Sequence, residues 1–414
     1  MVMVMINSHY VPMQTLKRFG EKLCLFNVQT GEYKENVKLT KSYSELGFYS
    51  PEVEEKLNRR IESQFGNLFN NKLYNAIDKI ELTRDELRLV KKFLLISVIR
   101  SYGNENFLQN EKIYYKTLQE YTDNFSKLNN LPKENIEPPF IEKQINNETP
   151  FEYWMRTLEV ILDSDGTPQD ILKQENKTYP AYRWAEVINN GYVAFWDSEF
   201  KHDEFVITDI GMTSENEKGW NGTTVHNVKK TNFLMNLLEH EKNKTMQKVI
   251  AKSSYLHRNF SENFMMFPIS SKRMIVEIDP FYKFRIAYKD YYDMPSLEEL
   301  TMLSNEKLYY PNEAKYILPQ NGIEPNYHKD DKYIYEIKHL TSKETRYCNE
   351  LFLDRINTWL GFSSLEKIVG SVVAYYRDNK FPYAPRTDFY ELYELINKKY
   401  DSSIDLNNIA RVRK

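Results

Sequence analysis

Residues 191–210, GYVAFWDSEFKHDEFVITDI, carry the strongest signal for a β-sheet in this chain. Aromatic and β-branched residues fill two runs on either side of a polar segment, and such runs are typical of strands. Two more runs of the same kind follow, FMMFPI at 264–269 and RMIVEI at 273–278. These runs predict a central, mainly antiparallel sheet.

The first fifty residues predict a compact β element. A short strand is expected at Val2 to Ile6, followed by the polar motif NSHYVP and one or two helical turns through LKRF. KLCLFNV at 22–28 and YKENVKL at 33–39 then flank a turn that contains Gly31. Because glycine supplies the positive φ of tight turns, this pattern indicates a hairpin.

Long helices are expected around the sheet. Apolar residues recur every three to four positions from Pro51 to about Ile80, which is one face of an amphipathic helix. Capping boxes at Thr83-Arg-Asp-Glu86, Thr341-Ser-Lys-Glu344 and Ser363-Ser-Leu-Glu366 open further helices. Two more are expected at 106–129 and 151–163. The predicted fold class is therefore α+β: helix-rich, with a central mainly antiparallel sheet flanked by long helices.

The same patterns divide the chain into segments of one composite domain. They are the strand, motif and hairpin at 1–50, a helical layer at 51–130, a proline-rich connector at 131–150, the central sheet region at 151–290, a polar excursion at 291–331, and a C-terminal strand with helices at 332–414.

Composition excludes several classes of protein. The formal net charge of -3 over 414 residues gives no global field for nucleic acid or membrane surfaces, so any polyanion contact must be local. Cys24 and Cys348 form no C-x-x-C pair, which argues against a disulfide framework and favours a reducing cytoplasm. Apolar runs stay well short of the ~20 residues of a membrane span, so no membrane role is expected. No glycine-rich phosphate loop is present, so no nucleotide cofactor is implied.

Several motifs together resemble a bacterial family known as domain of unknown function 4238, whose members begin with H-Y-V-P. NSHYVPMQTLKRF at 7–19 carries the resemblance first, and FVITDIGM, FMMFPISSKRMIV and the helix around Asn349 follow in the family's order. The matching residues are His9, Tyr10, Pro12, Asp209, Pro268 and Asn349. Met13 stands where the family tends to have Gln, and Ile210-Gly211 replace Asn-Pro. The resemblance implies a shared fold and brings no settled activity.

His9 is the first candidate for chemistry, because it follows a short apolar strand and precedes a proline by three residues. Histidine titrates near neutrality and serves as general base or metal ligand. The alternative is that His9 and its neighbour Tyr10, a candidate substrate contact, are packing residues whose polar atoms bond to nearby backbone.

Asp209 and Asn349 are the other two catalytic candidates. Asp209 ends a run that reads as a buried strand, where a carboxylate can activate water, orient a histidine or hold a divalent ion. Its alternative role is a turn-forming aspartate before Gly211. Asn349 lies on an amphipathic helix and is expected to point inward, either to position a substrate or to bond a neighbouring strand.

A basic stripe offers a local contact for phosphate. Lys244, Lys248 and Lys252 recur at helical spacing and would form one face able to meet a nucleic acid or another phosphate-containing substrate, although a solvated helix face explains them equally well. Glu336-Ile-Lys338 also has the form of an acidic-x-Lys nuclease strand, a pattern that chance produces often.

Two functions follow as hypotheses. The first is a hydrolase, nuclease-like and in a bacterial defence or toxin context, in which His9, Asp209 and Asn349 converge, with or without a divalent metal ion, on a phosphate-containing substrate. The second is a non-catalytic interaction or binding module in which the motif residues are structural. Oligomeric state and substrate are not specified by any pattern in the sequence.

Overall fold

A computed structural model describes residues 7–103, 150–164, 191–198, 203–216, 263–278, 307–309, 332–377 and 389–400, together with Ala185, Ile188 and Asn189. Three expectations lie outside the described residues: the strand at Val2 to Ile6, the helix at 106–129 and the basic stripe of Lys244, Lys248 and Lys252. The segment boundaries proposed from the sequence stay predictions.

The central sheet has five described strands: β6 (Tyr192–Asp197), β8 (Thr213–Asn216), β9 (Asn263–Pro268), β10 (Arg273–Ile278) and β13 (Lys338–His339). Their order is β13-β6-β10-β9-β8, and among them β13 alone runs parallel to its neighbour. Three of the four runs predicted for this sheet form its middle, β6, β10 and β9, and Ile275 faces Phe267 in the β9–β10 hairpin. The fourth run, within 204–210, does not pair with β6 as expected, because Ile207–Thr208 joins a second sheet.

A second, four-stranded sheet contains the predicted hairpin. Its order is β3-β2-β14-β7, with β2 at Lys22–Asn27, β3 at Tyr33–Lys38, β7 at Ile207–Thr208 and β14 at Trp359–Phe362. Gly31 adopts φ of +71° in the turn, as expected. The C-terminal strand predicted at the start of segment 332–414 is instead two strands that diverge at Ile337. Of these, β12 (Lys332–Glu336) joins β5 (Lys79–Thr83) and β11 (Lys307–Tyr309) in a third sheet.

The polar motif NSHYVP begins with a short strand. It is β1, Asn7–His9, and it pairs with β4, Ser44–Leu46, in a separate two-stranded ribbon. The Tyr10 amide continues the pairing to the Tyr43 carbonyl, and Pro12 then leads the chain into the short helix α1, Met13–Leu16.

Helices cover the sheets on the described part of the chain. Residues 51–73 form one helical stretch made of α2 (Pro51–Leu57) and α3 (Ser63–Leu68), each followed by a π-helical segment. The stretch ends before the predicted Ile80, because Ile80 belongs to strand β5. The Thr83 and Thr341 capping boxes are confirmed by hydrogen bonds. The remaining helices are α4 (Arg84–Gly103), α5 (Pro150–Asp163), α6 (Ser342–Arg355), α7 (Leu365–Arg377) and α8 (Tyr390–Tyr400).

Two large apolar clusters form the core. One joins α4, the helical stretch 51–73 and one face of the central sheet, and the other joins the opposite face of that sheet to α6, α7 and α8. The α+β class is therefore confirmed, and the described strands are divided among four sheets. Across the described ranges no helix has both the length and the apolar character to cross a membrane.

Candidate functional site

The HYVP segment rests on a buried charged cluster. The Arg100 guanidinium, on α4, donates to the His9 carbonyl and forms a 2.6 Å ion pair with Glu62, at the end of the π-helical segment after α2. Arg100 also lies over the Tyr49 ring, 5.6 Å from its centroid, and its side chain is 2% exposed. The guanidinium thus ties the end of β1 to two helices.

Ser8 and Glu54 complete this β1 cluster, which we define as Ser8, His9, Tyr49, Glu54, Glu62 and Arg100. The Ser8 hydroxyl accepts a 3.0 Å hydrogen bond from the Tyr49 amide. Burial raises the pKa of Glu54, against the opposing effects of Arg100, the Ser8 hydroxyl and the His9 amide. These neighbours place the Glu54 carboxyl directly beside β1.

The His9 ring is the part of the cluster with unused chemistry. Burial lowers the pKa of His9, and Arg100 adds to this, while Glu62 and a hydrogen bond to the Leu39 backbone act in the opposite direction. His9 Nε2, Glu54 Oε1 and Arg100 Nε are buried and have no hydrogen-bond partner among the described residues. A buried polar atom without a partner costs about 1–3 kcal/mol, so three in one cluster call for a physical reason.

A small pocket adjoins the cluster, one helical turn along α4 from Arg100. Three segments that are far apart in sequence meet there, and they are the same segments that carry the family resemblance. Its lining consists of Tyr10, Val11, Pro12 and Thr15, of Phe93 and Ser97 on α4, and of Ile210, Gly211, Phe267 and Pro268. The volume open to the centre of a water-sized molecule is about 10 Å³, which is about what one ordered water needs.

Tyr10 joins the pocket to the predicted aspartate. Its ring packs edge-on against Tyr43, with centroids 6.1 Å apart, and burial raises its pKa, with Asp209 and Glu45 adding to the effect. Tyr10 is therefore a neutral phenol that can donate a hydrogen bond. The substrate contact predicted for Tyr10 is compatible with this position but stays a prediction.

Asp209 is buried and bonded to the chain's own backbone. Its two carboxylate oxygens accept hydrogen bonds from the amides of Asn357, at 3.3 Å, and Thr358, at 2.7 Å. Burial raises the pKa of Asp209 to about 6, although these amides favour the charged form. Charging Asp209 therefore opposes folding, and its stabilising contribution is lost as the pH rises through about 6.

Asn349 is fully buried, and its amide group is fully engaged. Its oxygen accepts from the Val206 amide at 3.1 Å, and its nitrogen donates to the Glu204 carbonyl at 2.7 Å and to the Ser371 hydroxyl at 2.8 Å. These bonds fasten the segment before β7 to α6 and α7. They match the structural alternative foreseen for this residue, while a role in positioning a substrate stays untested.

Two acids missed by the sequence reasoning hold the same segment, residues 203–209. Asp203 pairs with Arg346 at 2.8 and 3.1 Å, and Glu204 accepts from the amide and hydroxyl of Ser363, both at 2.6 Å. Ser363 was expected to open a capping box with Glu366. Instead, α7 begins at Leu365 and the Ser363 hydroxyl bonds Glu204.

Asp209 thus belongs to segment 203–209 and Asn349 bonds the backbone of the same segment, whereas His9 lies in the β1 cluster. Glu336 and Lys338 belong to different sheets, and Lys338 pairs with Glu344 at 3.4 Å. Within the described ranges, no group of three or more His, Cys, Asp or Glu side chains is arranged to hold a metal ion. The sequence analysis missed Arg100, although a charged residue on an otherwise apolar helix face could have indicated a buried ion pair.

Fold and site define an α+β protein in which an H-Y-V-P segment is clamped to a helix beside a small pocket. The chain belongs to the family described as Protein of unknown function (DUF4238), which it matches over residues 7–365. Neither the curated proteins nor the solved structures contain a match.

Proposed function

We propose that this protein is a non-catalytic binding module whose binding site is the pocket between the HYVP segment and α4. One observation carries the proposal: three distant segments, 10–12, 210–211 and 267–268, converge with α4 on a single pocket. Asp209 and Asn349 then serve to hold the walls in place, in keeping with their bonds to backbone.

The lining indicates what the pocket accepts. Apolar residues form most of its wall, and Tyr10, Thr15 and Ser97 are the lining residues that carry a hydroxyl group. The Ser97 hydroxyl already donates to the Phe93 carbonyl at 2.9 Å, so it offers its lone pairs. A small neutral group with an apolar body and one hydrogen-bonding atom fits this lining. The pocket admits only the tip of a larger ligand.

Filling the pocket should abolish binding. In Ser97→Met a longer apolar side chain would occupy the space beside Tyr10. We therefore expect dimethyl sulfoxide and acetone to bind at least about tenfold more weakly, which corresponds to a loss of ~1.4 kcal/mol in binding free energy. Chemical-shift titration of the full chain with these two solvents measures the effect.

Ser63→Met is the matched control, because Ser63 is an exposed helical serine away from the pocket. It should bind the probes as the unaltered chain does. If Ser97→Met binds them equally well, or if neither solvent shifts the signals of Tyr10 and Gly211, the pocket is not a binding site.

The second candidate function is a hydrolase with His9 as general base. It is favoured by one specific observation: the buried His9 Nε2 atom has no hydrogen-bond partner within the described ranges. A histidine with a lowered pKa is neutral at pH 7 and able to accept a proton from water. As a hydrolase the protein would act on a phosphate-containing substrate. That substrate could be a nucleic acid bound by the stripe of Lys244, Lys248 and Lys252, and the setting would be phage defence in the cytoplasm.

His9→Ala separates the two candidate functions. As a catalytic residue, His9 should be dispensable for stability, so that cleavage of an RNA, DNA and phosphate-ester panel is lost while the melting temperature changes little. As a structural residue, its removal should lower the melting temperature by several degrees. Absence of cleavage by the unaltered chain across that panel, with and without divalent ions, would eliminate the hydrolase.

A further inference from the structure

We propose that His9 is a proton-operated latch for β1: a proton taken up at the buried Nε2, which has no hydrogen-bond partner among the described residues, places an unpaired charge in the β1 cluster and loosens the strand. Three buried atoms, His9 Nε2, Glu54 Oε1 and Arg100 Nε, have no partner in the described part of the chain, and the Arg100 guanidinium ties β1 to α4.

The charges that face His9 come from two helical elements. Arg100 on α4 opposes protonation, and Glu62, which pairs with Arg100 at 2.6 Å, favours it. Glu54 lies on α2 beside the His9 amide, and Tyr49 covers the guanidinium. Near neutral pH two acids therefore accompany one cation. What opposes protonation of His9 is its burial: the new charge at Nε2 lies away from water and has no hydrogen-bond partner among the described residues.

The direction of the pH effect follows from burial. The pKa of His9 lies below its ordinary value of 6.5 in the folded chain, so the folded state prefers neutral His9. The seating of β1 is therefore favoured above pH 6.5 and lost as the pH falls below it. Glu54 acts in the opposite sense, because its raised pKa makes the folded state gain stability as this carboxyl takes up a proton.

The latch acts on the pocket through chain continuity. β1 ends at His9, and the next three residues, Tyr10, Val11 and Pro12, line the pocket. The Tyr10 amide is bonded to the Tyr43 carbonyl, so exchange of this amide reports the seating of the strand. Control of ligand entry rests on the binding function proposed above, whereas the latch itself does not.

Hydrogen exchange of the full chain tests the latch without any ligand. Protection of the Tyr10 amide, corrected for intrinsic exchange, should fall severalfold between about pH 7.5 and about pH 5.5, the range in which histidine titrates. In His9→Gln the fall should disappear. In Glu54→Gln it should become larger, because the opposing titration is gone. His339→Gln, at an exposed histidine of β13, is the matched control and should behave as the unaltered chain.

Three results overturn the latch: equal protection at both pH values in the unaltered chain, an unchanged fall in His9→Gln, or an NMR titration that places the His9 pKa at or above 6.5. A pocket that fails to bind the solvent probes while the exchange behaves as expected would remove the binding function and leave the latch intact. Loss of both the fall and the probe binding would remove both.

Discussion

Replacing Asn349 by alanine is expected to lower the free energy of unfolding by on the order of 3 kcal/mol. The substitution leaves the Val206 amide, the Glu204 carbonyl and the Ser371 hydroxyl without partners in the core. A buried group without a partner costs about 1–3 kcal/mol, and relaxation or an entering water recovers part of the sum. Urea unfolding of the purified chain measures the change.

Asn67→Ala supplies the comparison for this experiment. Asn67 is also a helical asparagine, but it is exposed on α3, so its loss should change stability by less than about 0.5 kcal/mol. If Asn349→Ala proves as mild as Asn67→Ala while an activity of the protein disappears, Asn349 belongs to a working site and its structural assignment falls.

Replacing Arg273 by methionine should lower the free energy of unfolding by about 3–5 kcal/mol, the range for breaking a buried ion pair. Arg273 binds Asp197 through two hydrogen bonds of 2.6 and 2.7 Å, and it also donates to the carbonyls of Leu73 and Ala76. Methionine fills similar space but leaves the fully buried Asp197 carboxylate without its main cation. Thermal and urea unfolding should both report the loss.

Lys272→Met is the matched control, because it removes a half-exposed cation from the same carboxylate. Lys272 lies 3.7 Å from the same carboxylate, but about half of its side chain is exposed. Exposed ion pairs contribute about 0–1 kcal/mol, so this neighbour should be nearly silent. If both variants lower the free energy of unfolding by a similar amount, Arg273 is not the main cation that neutralises Asp197.

Local signals in the sequence were sufficient for the regular elements. Gly31 identifies the hairpin turn, the β9 and β10 runs pair as expected, and the Thr83 and Thr341 boxes open their helices. Each of these features is determined by residues within a few positions of one another. Periodicity and capping chemistry therefore carry them.

Contacts between segments that are distant in sequence could not be predicted from local patterns. β1 and β7 have three and two residues, too few to show an alternation. The split at Ile337 depends on two sheets competing for one apolar run, which no local pattern reports. At the site, His9, Asp209 and Asn349 were found by resemblance, whereas Arg100, Glu62 and Glu54 were missed because charged residues on long helices normally face solvent.

The pairing of β2 with β14 has a consequence for how the molecule is made. Strand Lys22–Asn27 is flanked on one side by its hairpin partner and on the other by Trp359–Phe362, which emerges from the ribosome more than 300 residues later. Pairing between such distant segments is slow because a long loop must close first. The open side of the hairpin therefore stays unpaired through most of synthesis, and a chaperone that shields strand edges should associate with the nascent chain until residue 362 is available.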